Sequence, residues 1–282
     1  MEGFTAVNLK KKLVRFPRED SFSINIREGI ISVADGTTRD CKNGAAARGG
    51  LKGAKDIFLH YPRPSPAEIA SDIFVETFPL VLKDYFKINR DEIAIRNAFE
   101  EANNRVKLWN QKHIPNPDYL VNDFAGCVAA GTSKLSDIIS FGYLTDSGVA
   151  IFDAKGNLKF RTENQGPDKF DKYIWEDERL KNIDWSNPEA RKIIRKNYRN
   201  NPQEEHSFGV LTGEDSAMSY VRTGTQELDY GDSLIVYTDG LEPIIFSGEC
   251  ADKLRQRDVK GLEQLCKQKV ATEGTLVYHL FS

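Results

Sequence analysis

The sequence predicts an α+β fold: a four-layer α-β-β-α sandwich in which two packed antiparallel sheets are flanked by helices. Three observations predict it. Strand-like runs come in groups, at about 21–34, 123–161 and 207–238, whereas a parallel sheet would alternate single strands with helices. Two long amphipathic helical patterns stand together between the first two groups. Hydrophobic residues make up 40% of the 282-residue chain and charged residues 29%, enough apolar material for a sizeable core under an ordinary wetted surface. No stretch reads as a linker, so residues 1–282 are expected to form a single domain.

Each element follows from local signals. Residues 21 to 34 read as two short strands joined at Arg27-Glu28-Gly29, a hairpin signal. Residues 37 to 64 form a Gly-, Ala- and basic-rich connection containing "NGAAARGGLKGAK"; a connection this long is either functional or a tolerated insertion. Ser65-Pro66-Ala67-Glu68 has the form of a capping box, with proline in the first turn and an acid three residues after the cap. Behind it Ile69, Ile73, Phe74, Phe78, Val81 and Leu82 recur at helical spacing. Asn89-Arg90-Asp91-Glu92 is expected to open the next helix in the same way, with Ile95, Phe99, Ala102, Val106 and Trp109 on its inner face.

Residues 123 to 161 turn to strand character, with a turn at Asp153-Ala154-Lys155-Gly156-Asn157. Residues 162 to 206 are polar and of mixed charge, with Phe170, Tyr173, Trp175, Trp185 and Tyr198 interleaved. They are expected to form a variable, lid-like flap, with "NPEARKIIRKNYRNN" as a short basic helix. Strands resume at about 207 to 238, a helix is expected over roughly 249 to 270, and "GTLVYHLFS" closes the chain as a strand.

Composition also excludes classes. A net charge of -3 is not that of a general nucleic-acid binder. No apolar run approaches the ~18 residues of a membrane span, and "MEGFTAVNLKKKLVRF" lacks the apolar stretch of a signal peptide. Cys41, Cys127, Cys250 and Cys266 show no CxxC spacing and read as free thiols of a reducing, cytoplasmic compartment. The four histidines have no zinc-site spacing.

The chemistry is expected from acids at strand ends. "ISVADGTTRD" ends a strand at Asp35-Gly36, and "IVYTDGLEP" repeats the pattern about two hundred residues later at Asp239-Gly240. "GYLTDSG" ends a third strand at Asp146, and Arg15, Glu19 and Asp20 precede the first strand in "RFPREDSFSINI". Aspartate is a poor strand former, but at a strand end it is held rigidly. The glycine lets the backbone turn sharply or approach a ligand. Singly, each Asp-Gly pair is most simply a turn. As a set, converging carboxylates persist only around cations, and an all-oxygen donor set suits Mg²⁺ or Mn²⁺ better than zinc.

The set resembles the metal-dependent serine/threonine protein phosphatases of type 2C, the PPM family. "RFPREDSFSI" looks like the family's opening motif and "ISVADG" like its second. "AAGTSKLSDIISFGYLTDSGVAIF" is similar to its paired strands ending in Gly-Asp-Ser. "LDYGDSLIVYTDGL" resembles its late motif, with Gly231-Asp232 and Thr238-Asp239-Gly240-Leu241 at the expected distance. The resemblance implies two Mn²⁺ or Mg²⁺ ions in a cleft at one end of the sheets, and a weaker third ion. Asp35 would bridge the metals, Gly36 would lend its carbonyl, and Asp239 would hold the second metal. Glu19 and Asp20 would bind directly or through water, Asp146 would serve the third ion, and Arg15 would bind the substrate phosphate through its planar fork.

Three departures stand out. Thr37-Thr38 follows Asp35-Gly36 where many members have a histidine. Thr145 replaces the glycine of Gly-Asp-Ser. Thr272 stands where the terminal metal aspartate belongs, next to Glu273; either Glu273 is a displaced ligand or the site has one ligand fewer. The implied reaction is single-step hydrolysis of a phosphoserine or phosphothreonine protein by a water activated between the metals. Arg39, Lys42, Arg48, Lys52 and Lys55 either attract that substrate or form a solvated loop. The alternative is a pseudophosphatase that keeps the fold and binds a phosphoprotein or a regulatory partner. Oligomeric state is left open.

Overall fold

The computed structural model describes residues 1–13, 16–37, 55, 58–85, 91–114, 124–180 and 188–281. In chain order these contain β1 (Glu2–Val7), α1 (Leu9–Leu13), β2 (Asp20–Asn25), β3 (Ile30–Gly36), α2 (Pro66–Asp84), α3 (Glu92–His113), β4 (Cys127–Leu135), β5 (Ile138–Tyr143), β6 (Gly148–Phe152) and β7 (Leu158–Arg161). There follow α4 (Asp171–Glu176), α5 (Pro188–Asn197), β8 (Arg222–Glu227), β9 (Ser233–Tyr237), α6 (Glu242–Ile245), α7 (Gly248–Arg255), α8 (Val259–Lys269) and β10 (Glu273–Leu280).

The strands form two five-stranded antiparallel sheets, in the orders β1-β10-β9-β6-β7 and β2-β3-β4-β5-β8. Three apolar layers hold the sandwich together. Phe74, Phe78 and Phe99 of α2 and α3 pack with Ile30 and Ala129 of the second sheet. Leu254, Leu262 and Leu265 of α7 and α8 pack with Ile235 and Leu276 of the first. Between the sheets lie Val33, Ile139, Ile151, Val236 and Val277. The expected α-β-β-α layering is the one observed. A smaller cluster of Ile174, Leu180, Ala190, Ile194 and Tyr198 packs α4 with α5. Among the described residues no helix is long and apolar enough to cross a membrane.

Local chemistry explains the best-read boundaries. Ser65 caps α2: its hydroxyl accepts the Glu68 N–H, and Glu68 returns a bond to the Ser65 N–H. The β2–β3 hairpin turns at Gly29, with φ 64°. At α3 the cap is Asp91, not Asn89, because the Asp91 carboxylate takes the N–H groups of Ile93 and Ala94. The single helix expected over 249–270 is two, broken where Arg257 takes φ 54° and Asp258 caps the second by accepting the Gly261 N–H. Between 207 and 221 the chain makes two isolated bridges, from Phe208 to Arg199 and from Leu211 to Cys127, and a 3-10 turn (Asp215–Ser219); β8 begins only at Arg222. The described cysteines Cys127, Cys250 and Cys266 are free and buried.

β1 and α1 carry no signal that the sequence made legible. β1 is an edge strand specified by its pairing with the last strand, from Glu2 opposite Tyr278 to Val7 opposite Glu273. α1 is only 5 residues long, and its start is tied to residues 271–272 at the far end of the chain. Both depend on non-local contacts.

Candidate active site

The ends of β2 and β3 place two aspartates side by side: Asp20 stands opposite Asp35 in register. Like charges directly across a pair of strands repel. Asp20 is buried and anchored to the facing sheet, where Thr238 donates its hydroxyl to Asp20 Oδ2 at 2.7 Å. Thr238 in turn accepts the Thr275 N–H at 2.8 Å. Burial, then the neighbouring Glu273 carboxylate, push the Asp20 carboxyl up to about 7; the threonine hydroxyls oppose the shift.

Asp239 follows Thr238 and starts a 3-10 turn (Asp239–Leu241), exposed at the cleft. Its carboxyl lies near enough to act on that of Asp35. Burial and the carboxylates of Asp20, Asp239 and Asp146 hold Asp35 well above the usual carboxylate range. Asp35, Gly36, Asp146 and Thr145 line a cavity of about 250 Å³ together with Pro167 and Phe208.

The repeated Asp-Gly pair now has a physical reason. A Cβ on Gly36 would lie 2.5 Å from the Ala67 carbonyl oxygen, and one on Gly240 would lie 1.7 Å from that of Glu273. Neither glycine has a left-handed φ. Each is needed for close packing against a neighbouring backbone, which brings its aspartate to the cleft. Thr145, in the place of the glycine of Gly-Asp-Ser, does take φ 67°, an uncommon conformation for a β-branched residue. Its hydroxyl is tied to the Gly209 carbonyl.

The remaining sequence-derived residues fall into two groups. Glu19 is buried beside Asp20, and its Oε1 accepts the Tyr61 hydroxyl at 2.6 Å and the Ser65 hydroxyl at 2.6 Å. Glu273 is buried as well. Its Oε1 accepts the N–H groups of Glu19 at 3.2 Å and Asp20 at 3.3 Å, while Oε2 meets Lys11 Nζ at 2.9 Å. Thr272 is exposed, and its carbonyl accepts the Asn8 N–H. Lys55 is exposed. Arg15, Arg39, Lys42, Arg48 and Lys52 lie outside the described residues.

Sequence reasoning missed Lys11, Tyr61, Thr238 and Thr275. Ser65 was legible as a helix cap, but not as a donor to Glu19. These residues are ordinary in sequence, and only the meeting of distant segments gives them partners.

Among the described residues, no group of three or more His, Cys, Asp or Glu stands ready to hold a metal ion. The acids meet pairwise: Asp20 stands opposite Asp35, and Asp239 lies near Asp35. Burial and the surrounding carboxylates disfavour the charged form of Asp35. A hard divalent cation offers neutralisation through oxygen donors, so the Asp35–Asp239 side fits Mg²⁺ or Mn²⁺ chemically.

No family model and no curated protein sequence matches the chain. Solved structures do. The fold is that of the PPM-type Ser/Thr phosphatases. The chain is similar to the Mycobacterium tuberculosis serine/threonine phosphatase PstP/Ppp, at 15% identity and a TM-score of 0.63, over 100% of this chain and 98% of that one. A structure of the PstP catalytic domain contains 2 manganese ions; it matches at 15% identity and a TM-score of 0.60, over 100% and 97%. The chain is also similar to PppA, a regulatory component of T6SS in Pseudomonas aeruginosa, at 16% identity, a TM-score of 0.60 and coverage of 99% and 96%. At such identities the likeness establishes a shared fold.

Proposed function

We propose that the protein is a metal-dependent phosphomonoester hydrolase acting on phosphoserine or phosphothreonine proteins. The observation that carries this reading is Asp35 at the cavity, with Asp20 opposite it on β2 and the carboxylates of Asp239 and Asp146 acting on it. The shared fold supports it. Asp35 and Asp239 would hold divalent cations, with the Gly36 carbonyl, Glu19 and Asp20 beside them and Asp146 at an outer position. When bound, such ions would supply a water acidified towards neutrality and positive charge for the phosphoryl oxygens.

The chain itself does the positioning. Thr238 and Thr275 fix Asp20, and Tyr61 and Ser65 fix Glu19, so neither acid needs to reorganise during turnover. Arg15 would orient the phosphate through its guanidinium fork. Residues 162–206 would serve as the flap over the cleft. Pro167 lines the cavity, and Gly166 packs so close that a Cβ there would lie 2.9 Å from Asp146 Oδ2.

The test is hydrolysis of an aryl phosphate with Mn²⁺, with chelator, and in Asp35→Ala and Asp239→Ala. Full activity under chelation, or in both variants, would sink the reading. A second reading, a phosphoprotein-binding pseudophosphatase, is favoured by one observation: the Lys11–Glu273 ion pair stands beside Thr272, where the terminal metal aspartate is expected. Mn²⁺ binding with no turnover would support it.

A further inference from the structure

Lys11 is brought to the acid cluster by a built device. Asn8 caps the short helix α1, its side-chain oxygen accepting the Lys11 N–H at 2.9 Å. The same Asn8 is clamped to the loop before β10, its N–H to the Thr272 carbonyl at 2.8 Å and its side-chain amide to the Ala271 carbonyl. The lysine ammonium lies over the Phe16 ring, with Nζ 4.5 Å from its centroid, and Phe16 stacks on Tyr61 at 4.7 Å. The ammonium ends 2.9 Å from Glu273 Oε2, a carboxylate only 3% exposed.

Glu273 has little left to offer a metal. A carboxylate has about four lone-pair positions. Three of them accept the Lys11 ammonium and the N–H groups of Glu19 and Asp20. A dication at this carboxylate would displace those partners and stand against a fixed positive charge.

We propose that the Lys11 ammonium takes the place of one of the two metal ions expected at this centre. Glu273 is its counter-ion and the anchor of the Glu19-Asp20 backbone, and the centre holds one divalent ion, on the Asp35–Asp239 side. Lys11 and Glu273 are then positioning residues. The proposal rests on the metal-dependent reading above and specifies its ion complement. It also gives Thr272 a reason: where an ammonium already paired with Glu273 replaces the ion, an aspartate at that position has no metal to bind.

The experiment counts Mn²⁺ by calorimetry and by loss of the free-ion electron paramagnetic resonance signal, in wild type, Lys11→Arg, Lys11→Met and the double variant Thr272→Asp/Lys11→Met. One equivalent is expected for wild type and for Lys11→Arg. A second equivalent is expected once the charge is removed in Lys11→Met, and it is expected to bind at least tenfold more tightly in the double variant. Two equivalents of similar affinity in wild type would overturn the proposal and leave the metal-dependent reading standing. So would a Lys11→Met protein that melts cooperatively and still binds one ion. No Mn²⁺ in wild type would overturn both. A wild-type count of two needs no variant to fold, so that result overturns the proposal by itself.

Discussion

On one side of the acid cluster Asp35 lines an open cavity, and burial and the neighbouring carboxylates of Asp20, Asp239 and Asp146 hold it well above the usual carboxylate range. On the other, a few residues away, the oxygens of Glu273 meet an ammonium and two backbone N–H groups. The first side is left electrostatically incomplete. The second is neutralised from within the chain. A buried carboxylate with all its partners stiffens a fold, whereas one facing other carboxylates is poised to take up a cation. Acidity alone therefore does not mark a ligand; the partners already present decide it.

The comparison is broken most directly at Asp35. Asp35→Ala is expected to lower Mn²⁺-dependent aryl phosphate hydrolysis on the order of 10³-fold while leaving the melting temperature unchanged or higher, because a repelled acid is removed. Retained activity would mean that the open side is not the reactive one.

Gly240→Ala attacks the join between the two sides. Its Cβ has no room beside the Glu273 carbonyl, so a loss of about 3 kcal/mol is expected in denaturant unfolding. A variant as stable as wild type would show that this backbone approach is not needed.

Thr238→Val strips the hydroxyl from Asp20 and is expected to cost about 1–2 kcal/mol, with roughly a tenfold loss of activity. Equal loss in a Thr238→Ser protein would point to packing instead of the hydrogen bond.

The smallest effect concerns pH. Asp20 and Asp35 are both raised in the folded protein, so they contribute stability that is whole below the ordinary carboxylate range. It is lost as pH rises through the folded values, about 7 for Asp20. The melting temperature of chelated protein is expected to fall between about pH 5 and about pH 8, and Mn²⁺ to recover part of the loss. A flat profile would mean that the acids are already neutralised in the absence of metal.

Much of the fold was legible because its signals are local. Ser65-Pro66-Ala67-Glu68 states a helix start within four residues, and the Phe74, Phe78 and Phe99 stripes state which helix faces are buried. The grouping of strand-like runs was enough to give two antiparallel sheets. The misreadings arose where neighbours competed or where pairing was distant: Asp91 took the cap from Asn89, Arg257 broke a continuous helical pattern, and β1 is defined by β10 some 270 residues away.

For the site, the sequence by itself determined the reactive vocabulary. It supplied acids at strand ends, two of them, Asp35 and Asp239, followed by glycine, because a residue type and its immediate neighbour are enough to specify a carboxylate on a close-packed backbone. The tertiary structure alone decided which of those acids are left facing one another. Lys11, Tyr61, Thr238 and Thr275 reach Glu273, Glu19 and Asp20 only through contacts between sheets and across the full length of the chain, and the charge state of a buried carboxyl is set by what surrounds it.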